Sequence, residues 1–392
     1  MIKTSKSFSK YFLITFFLSL LVVGSSNLIQ TVIPLYMSIN LGSTLSEIGF
    51  IISISSTSTI ILRPFLGFLV DRIDRRCLLL VSLSATGLIY LAYIFIKTPT
   101  SFGILRFIQG IPLTIATTTF SAIASDLIQD DRMGEGLSYF TLTNTLAIAI
   151  GPSVGIALFN NGWNGLPFLV SSIIVFLCCI ASLQIKVTNK KRKTGAFSLN
   201  QISDLKIGWL IFTGSLVYFG IPGIMTYSTL YSKAMGVSNI SLAYTIYGVG
   251  LVCTRLLAAK LIDKHGAAKV GTISITILMI GFTLIGICPT RYGLFIGSLI
   301  LSVGCGMITP TLLTMAVDVV GSNRRGSAIA MIFTSFDVGM GLGSWFFGWV
   351  SDILGNFNIA YLICAVVEIA AVGIFWHLAI PNYKLNKVPE KT

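Results

Sequence analysis

GFLVDRIDRR, residues 67–76, breaks an apolar text with five charges in six positions: Asp71, Arg72, Asp74, Arg75 and Arg76. Residues 46–70 before it are apolar, and CLLLV, residues 77–81, resumes the run after it. A helix crossing about 30 Å of hydrocarbon needs roughly 20 apolar residues, so a short charged knot between two such runs reads as a turn at a membrane surface. RLLAAKLIDKHG, residues 255–266, looks like an echo of the same passage.

Composition agrees with that reading. The 392 residues are 54% hydrophobic and 10% charged, with a mean hydropathy of +0.87, whereas soluble domains carry about 25% charged residues. Twelve apolar segments emerge, at 11–36, 46–70, 77–97, 101–125, 136–159, 164–185, 207–231, 240–262, 268–288, 292–317, 326–349 and 357–379. The first follows Lys3, Lys6 and Lys10 but lacks a small-residue cleavage pattern, so it is expected to remain as a helix. Cys77, Cys178, Cys179, Cys253, Cys288, Cys305 and Cys364 lie in or beside spans and carry no pairing pattern, which makes them packing residues.

The net charge of +13 is a matter of location. Basic residues crowd the N-terminus, the turn at 72–76, Arg132, the stretch from Lys186 to Lys206, the segment from Lys260 to Lys269, Arg324 with Arg325, and the C-terminus. The alternate loops hold only Lys97, Lys233 and Arg291. This bias places both termini in the cytoplasm of a multi-pass protein of the cell membrane, and it removes the need for a nucleic-acid partner.

The echo extends into a repeat. A step of 192 residues takes Arg63 to Arg255, Asp71 to Asp263, Asp126 to Asp318, Arg132 to Arg324, Gly134 to Gly326 and Gly151 to Gly343. The expected architecture is therefore an all-α membrane protein of twelve transmembrane helices in two six-helix, pseudo-symmetric halves. Residues 1–185 form the first half, 186–206 a basic cytoplasmic linker, 207–380 the second half and 381–392 a cytoplasmic tail. Parallel repeats about an axis along the membrane normal are a transporter plan, with the substrate site between the halves near the midplane.

GFLVDRIDRR resembles the helix 2–3 loop signature of the major facilitator superfamily, G-x-L-x-D-R-x-G-R-[KR]. Gly67, Leu69, Asp71, Arg72, Arg75 and Arg76 match, and Asp74 stands where the family prefers glycine, the residue that adopts positive φ most readily. RFIQG, from Arg106 to Gly110, resembles the helix-4 motif R-x-x-Q-G, and Gly151, Pro152 and Gly155 partly match the helix-5 motif of the bacterial twelve-helix drug/proton antiporters, with Ala147 replacing a further family glycine. The resemblance covers the whole chain. It implies that Gly67, Asp71, Arg72, Arg75, Arg76, Asp126, Arg132 and Asp263 form a conformational latch, with Asp71 against the positive N-terminal end of helix 11 and Arg75 within reach of Asp126.

Charges within the membrane are costly, so each is a candidate for function. They are Arg63, Arg106, Arg255, Asp337 and Glu368. Arg106, about one turn into helix 4, carries the motif that the resemblance links to proton coupling, and Gln109 stands beside it. Asp337, followed by Gly339, Gly341 and Gly343, is the acid best placed to carry a proton, with Arg106 as its expected partner. Arg63 and Arg255 read as gate structure, and Glu368 as a group outside the cavity. Asn27 and Gln30 in helix 1, and Tyr227, Tyr231 and Tyr247 among the phenols of helices 7 and 8, complete the candidate pocket. Helix 1 lacks the carboxylate of many multidrug members, so the pocket reads as neutral to positive and suits an anionic cargo such as a metal-chelating metabolite.

The only histidines are His265 and His377, and neither H-E-x-x-H nor G-x-x-x-x-G-K-[ST] occurs, which argues against an enzyme, a metal site or ATP drive. The expected function is proton-coupled efflux of a small organic molecule by a monomer that needs no cofactor beyond the proton gradient. The alternative is a proton-coupled symporter importing an organic nutrient.

Overall fold

The computed structural model describes residues 9–128, 133–185, 205–237, 240–320 and 325–387, and every regular element among them is helical. In chain order these are α1 (Lys10–Asn40), α2 (Leu45–Arg72), α3 (Arg75–Ala92), α4 (Pro99–Leu127), α5 (Met133–Phe159) and α6 (Leu166–Ser182). The second set is α7 (Gly208–Ala234), α8 (Ser241–His265), α9 (Ala267–Ile287), α10 (Arg291–Val320), α11 (Arg325–Leu354) and α12 (Phe357–Asn386). Eleven of them are long and apolar enough to cross a membrane, and α6 is a shorter apolar helix. Lipid offers the backbone no hydrogen bonds, so these apolar runs take the one open form that satisfies every amide within itself.

Polar residues at the turns end the helices. Thr44 and Glu47 make a reciprocal capping box at the start of α2, and Thr98 accepts from the Ser101 amide at the start of α4. Gly266, at φ 80°, turns α8 directly into α9. Two helices contain a wider turn. Residues Gly223–Tyr227 of α7 and Phe375–Ala379 of α12 are π-helical, a local insertion that re-aims side chains. Beyond its π-turn α12 continues to Asn386, so the residues expected to begin a tail at 381 are helical. Tyr383 explains the extension, because it is buried and its hydroxyl donates to Asp318 at 2.6 Å. Lys387 pairs with the same carboxylate at 3.2 Å, and its hydrogen bonds to Tyr383 and Asp318 raise its pKa above the usual lysine value.

The opening stretch is a two-residue turn between α2 and α3. Asp74 has φ −56° and its carboxylate accepts from the Cys77 amide at 3.0 Å, so it caps α3. No positive φ is needed where the family prefers glycine. Arg75 is buried, ion-pairs with Asp126 of α4 and donates to the Ala122 carbonyl. Arg76 donates to the Ile185 carbonyl at 2.9 Å. Arg75 and Arg76 therefore tie α3 to α4 and to the end of α6. Arg72 and Asp263 are exposed. The surroundings of Gly67, the side chain of Asp71, residue Arg132, and residues 186 to 204 of the linker lie outside what the structure describes.

Helices α1–α6 pack among themselves, with α1 on α5 and α6, α2 on α4, and α3 on α4 and α6. In the other half α9 packs on α10 and α12, α8 on α10, and α7 on α11 and α12. The halves meet where α2 lies along α11, where α5 lies along α8, and where α1 touches the later turns of α7. The helix-5 glycines make the α1–α5 contact possible. A Cβ on Gly151 would stand 2.8 Å from the Gly24 carbonyl oxygen, and one on Gly155 2.7 Å from that of Leu28.

The halves close tightly at the end away from the basic loops. Gly49 of α2 lies so near α11 that a Cβ there would meet the Ser344 carbonyl and the Tyr227 hydroxyl at 2.5 Å. Tyr227 donates to that carbonyl at 2.9 Å. Ser153 of α5 bonds the Ser241 carbonyl at 3.2 Å and the Thr245 hydroxyl at 3.0 Å across the other seam.

Candidate functional site

Deeper along the same two seams each half presents an arginine to the other. Arg63 on α2 forms an ion pair with Asp337 on α11, and its guanidinium lies over the Phe333 ring at 5.8 Å. The two side chains are 22% and 25% exposed, so the pair is partly screened. Its contribution falls between the 0–1 kcal/mol typical of surface pairs and the roughly 3–5 kcal/mol lost when a buried pair loses one member. On the other seam Arg255 of α8 donates to the Thr145 hydroxyl of α5 at 3.1 Å.

These two contacts are equivalent by the repeat. The step of 192 that takes Arg63 to Arg255 also takes Thr145 to Asp337. One seam thus holds a charge pair where the other holds an arginine and a neutral hydroxyl. The glycines after Asp337 serve both neighbours: a Cβ on Gly339 would meet the Ser215 carbonyl and Tyr218 of α7, and one on Gly341 would stand 3.0 Å from Ser56 of α2.

Arg106 stands apart from Asp337. It lies about two turns into α4, because that helix begins at Pro99. It is 3% exposed. Its guanidinium donates to Gln109 at 2.7 Å and to Gln30 of α1. Tyr93 also donates to Gln109, at 2.6 Å. The expected Arg106–Asp337 pair is therefore replaced by an amide and phenol network inside the first half. Arg63 captures the acid because α2, and not α4, lies along α11. Asn27 turns its amide onto its own helix, at Val23.

The tyrosines do not face Arg106 either. Tyr227 closes the far end, and Tyr231 donates to Asn358 at 2.7 Å. Tyr247 is buried, in the neighbourhood of Tyr218, Cys305 and Arg255. Glu368 is fully buried with neither carboxyl oxygen hydrogen-bonded, which places it inside the second half and not at its edge. Sequence reasoning missed Thr145. The signal was present, since the residue 192 positions before the singled-out Asp337 is the one that faces Arg255.

The arrangement can hold two halves together through one titratable pair and can offer an arginine to an occupant of the other seam. Known proteins share this framework. The family model described as Major Facilitator Superfamily matches residues 15–241 and 237–392. An uncharacterized MFS-type transporter of Methanocaldococcus jannaschii is 26% identical over 382 residues, covering 94% of this chain and 96% of its own. The crystal structure of a bacterial homologue of the human lysosomal transporter Spinster, inward-facing and occupied, superposes with a TM-score of 0.83 at 12% identity, over 98% of this chain and 100% of that one. The nucleoside transporter NupG superposes with a TM-score of 0.79 at 14% identity, over 94% and 98%. The chain is a member of the Major Facilitator Superfamily, a multi-pass membrane transporter and not an enzyme.

Proposed function

We propose that the chain is a proton-coupled exporter of a small organic molecule, an antiporter that works by alternating access. The observation that carries this reading is the Arg63–Asp337 ion pair, which joins the two halves partway through the membrane. A contact at that depth is made in one state and broken in another as the halves rock. Protonation of Asp337 removes one of the two charges, the attraction lapses, and α2 is free to leave α11. Loss of the proton restores the contact. One such proton per cycle links the gradient to the exchange of states, with no cofactor.

The charge bias of the loops puts both termini in the cytoplasm of a cell membrane. The end closed by Gly49, Tyr227 and Ser153 then faces outward, and cargo enters from the cytoplasm. In the opposite state Asp71, Arg72, Arg132 and Asp263 hold the basic end shut, with Asp71 at the start of α11. Both halves belong to one chain, so a monomer suffices.

The test is an untargeted comparison of small molecules inside and outside cells that lack or overexpress the protein, with and without a protonophore. Export predicts a compound that gathers outside in overexpressing cells, an effect abolished by the protonophore and by Asp337→Asn. A compound that gathers inside instead would establish the symporter, and one indifferent to the protonophore would remove proton coupling.

A further inference from the structure

We propose that Arg255, at the seam with Thr145, is the seat for an acidic group on the cargo, so that the transported molecule is an organic anion. This rests on the transporter reading above and names the substrate class for the same path. The repeat is the main argument. Arg63 and Arg255 are mates, as are Asp337 and Thr145, and only the first arginine receives a carboxylate from its neighbour. The Thr145 hydroxyl accepts one hydrogen bond at 3.1 Å and brings no charge. A guanidinium has five N–H donors in a fixed fork, which leaves Arg255 with donors to spend on a carboxylate.

Its surroundings sharpen the point. Among the described residues Arg255 forms no ion pair, and the ionisable groups around it are the Tyr218 and Tyr247 phenols and the Cys305 thiol, all neutral in their ordinary forms. Glu368, the fully buried acid of this half, makes no hydrogen bond and does not pair with Arg255. Removing a cation from water without a counter-charge is costly, so a site built this way favours an incoming anion. Arg106 also forms no ion pair among the described residues, but it is buried and its two terminal nitrogens donate to Gln109 and Gln30. Arg255 keeps partial exposure.

The neighbouring wall suits an apolar body on that anion. Tyr218 stacks on Phe336 with centroids 3.9 Å apart and planes 20° from parallel. Phe336 directly precedes Asp337 on α11. A flat or branched carboxylate would lie with its acid on Arg255 and its hydrophobic part toward these rings.

The experiment follows the reactivity of single arginines in the purified full-length protein in nanodiscs. Arginines are modified with 4-hydroxyphenylglyoxal and the rate at each is read by mass spectrometry. Arg255 is expected to react about tenfold faster than Arg63, whose Nη2 is ion-paired with Asp337. 2-Naphthoate or benzoate should slow Arg255 several-fold, whereas the uncharged 2-naphthamide and benzamide should not. Thr145→Asp, which supplies the missing carboxylate, should slow Arg255 with no anion added and abolish the naphthoate effect. Thr145→Val keeps the shape and should leave protection in place. The proposal is overturned if Arg255 is as slow as Arg63, if neither acid protects, if the amides protect equally, or if protection survives Thr145→Asp. None of these readouts depends on proton coupling, so failure of the antiport reading in the cell experiment is separately visible.

Discussion

Arg63 and Arg255 hold equivalent places in the two halves, and they meet different partners across equivalent seams. Asp337 neutralises the first, while Thr145 leaves the second charged. A second set of mates diverges in the same manner. Asp126 is met by Arg75, buried between helices of its own half, whereas Asp318 is met by Tyr383 and by Lys387, which is 46% exposed. The helix positions and the ionisable group at one side of each contact recur between the halves, and the group on the other side differs. A symmetric charge pair on both seams would hold the halves with equal force and leave no cation for an occupant.

The largest effect should come from removing the titratable member of the charged seam. Asp337→Asn is expected to cut gradient-driven transport about a hundredfold or more, while Thr145→Asn at the equivalent place changes proton dependence little. The measurement is flux across the membrane of vesicles under an imposed pH gradient, once a cargo is in hand. Equal losses from both substitutions would erase the distinction between the seams.

Next in size is the buried pair at the basic end. Arg75→Gln leaves Asp126 without its charge partner in a confined site and should destabilise the protein by about 3–5 kcal/mol, read as a large drop in unfolding temperature in detergent. Arg75→Lys should recover part of this, because it restores the charge but not the planar fork.

A smaller effect is expected from the charged seam's energetics. Arg63→Gln should destabilise this closed state, and the double variant Arg63→Gln/Asp337→Asn should be more stable than the two single losses add up to, with a coupling of about 1–3 kcal/mol. Additivity would mean that the pair holds nothing.

The smallest change is predicted for Asp318→Asn. Its charge partner Lys387 is about half exposed, so stability should fall by no more than about 1 kcal/mol. A loss as large as that of Arg75→Gln would show that the two basic-end contacts never diverged.

The fold could be read almost entirely from the chain. The twelve spans match the helices to within a few residues at most ends, because a hydrocarbon slab imposes both a length and an apolar composition on whatever crosses it. Differences fall where tertiary contacts extend a helix, as Tyr383 does at the end of α12. The candidate site was less legible. Asp337 was singled out as an intramembrane acid with Arg106 as its partner, and the structure pairs it with Arg63. Two arginines and one acid at similar depth carry no label in the sequence for which of them will touch.

By itself the sequence determined the number of crossings, the two-fold repeat and the end at which basic residues gather, since these follow from composition and spacing along a single axis. Only the tertiary structure decided that α2 lies along α11 and α5 along α8, and hence that Asp337 reaches Arg63 while Arg255 reaches a hydroxyl. Partner choice depends on how each helix is rotated and tilted against its neighbour. Those angles come from the packing of many small contacts, such as Gly49 on Ser344 and Gly151 on Gly24, between residues far apart in the chain.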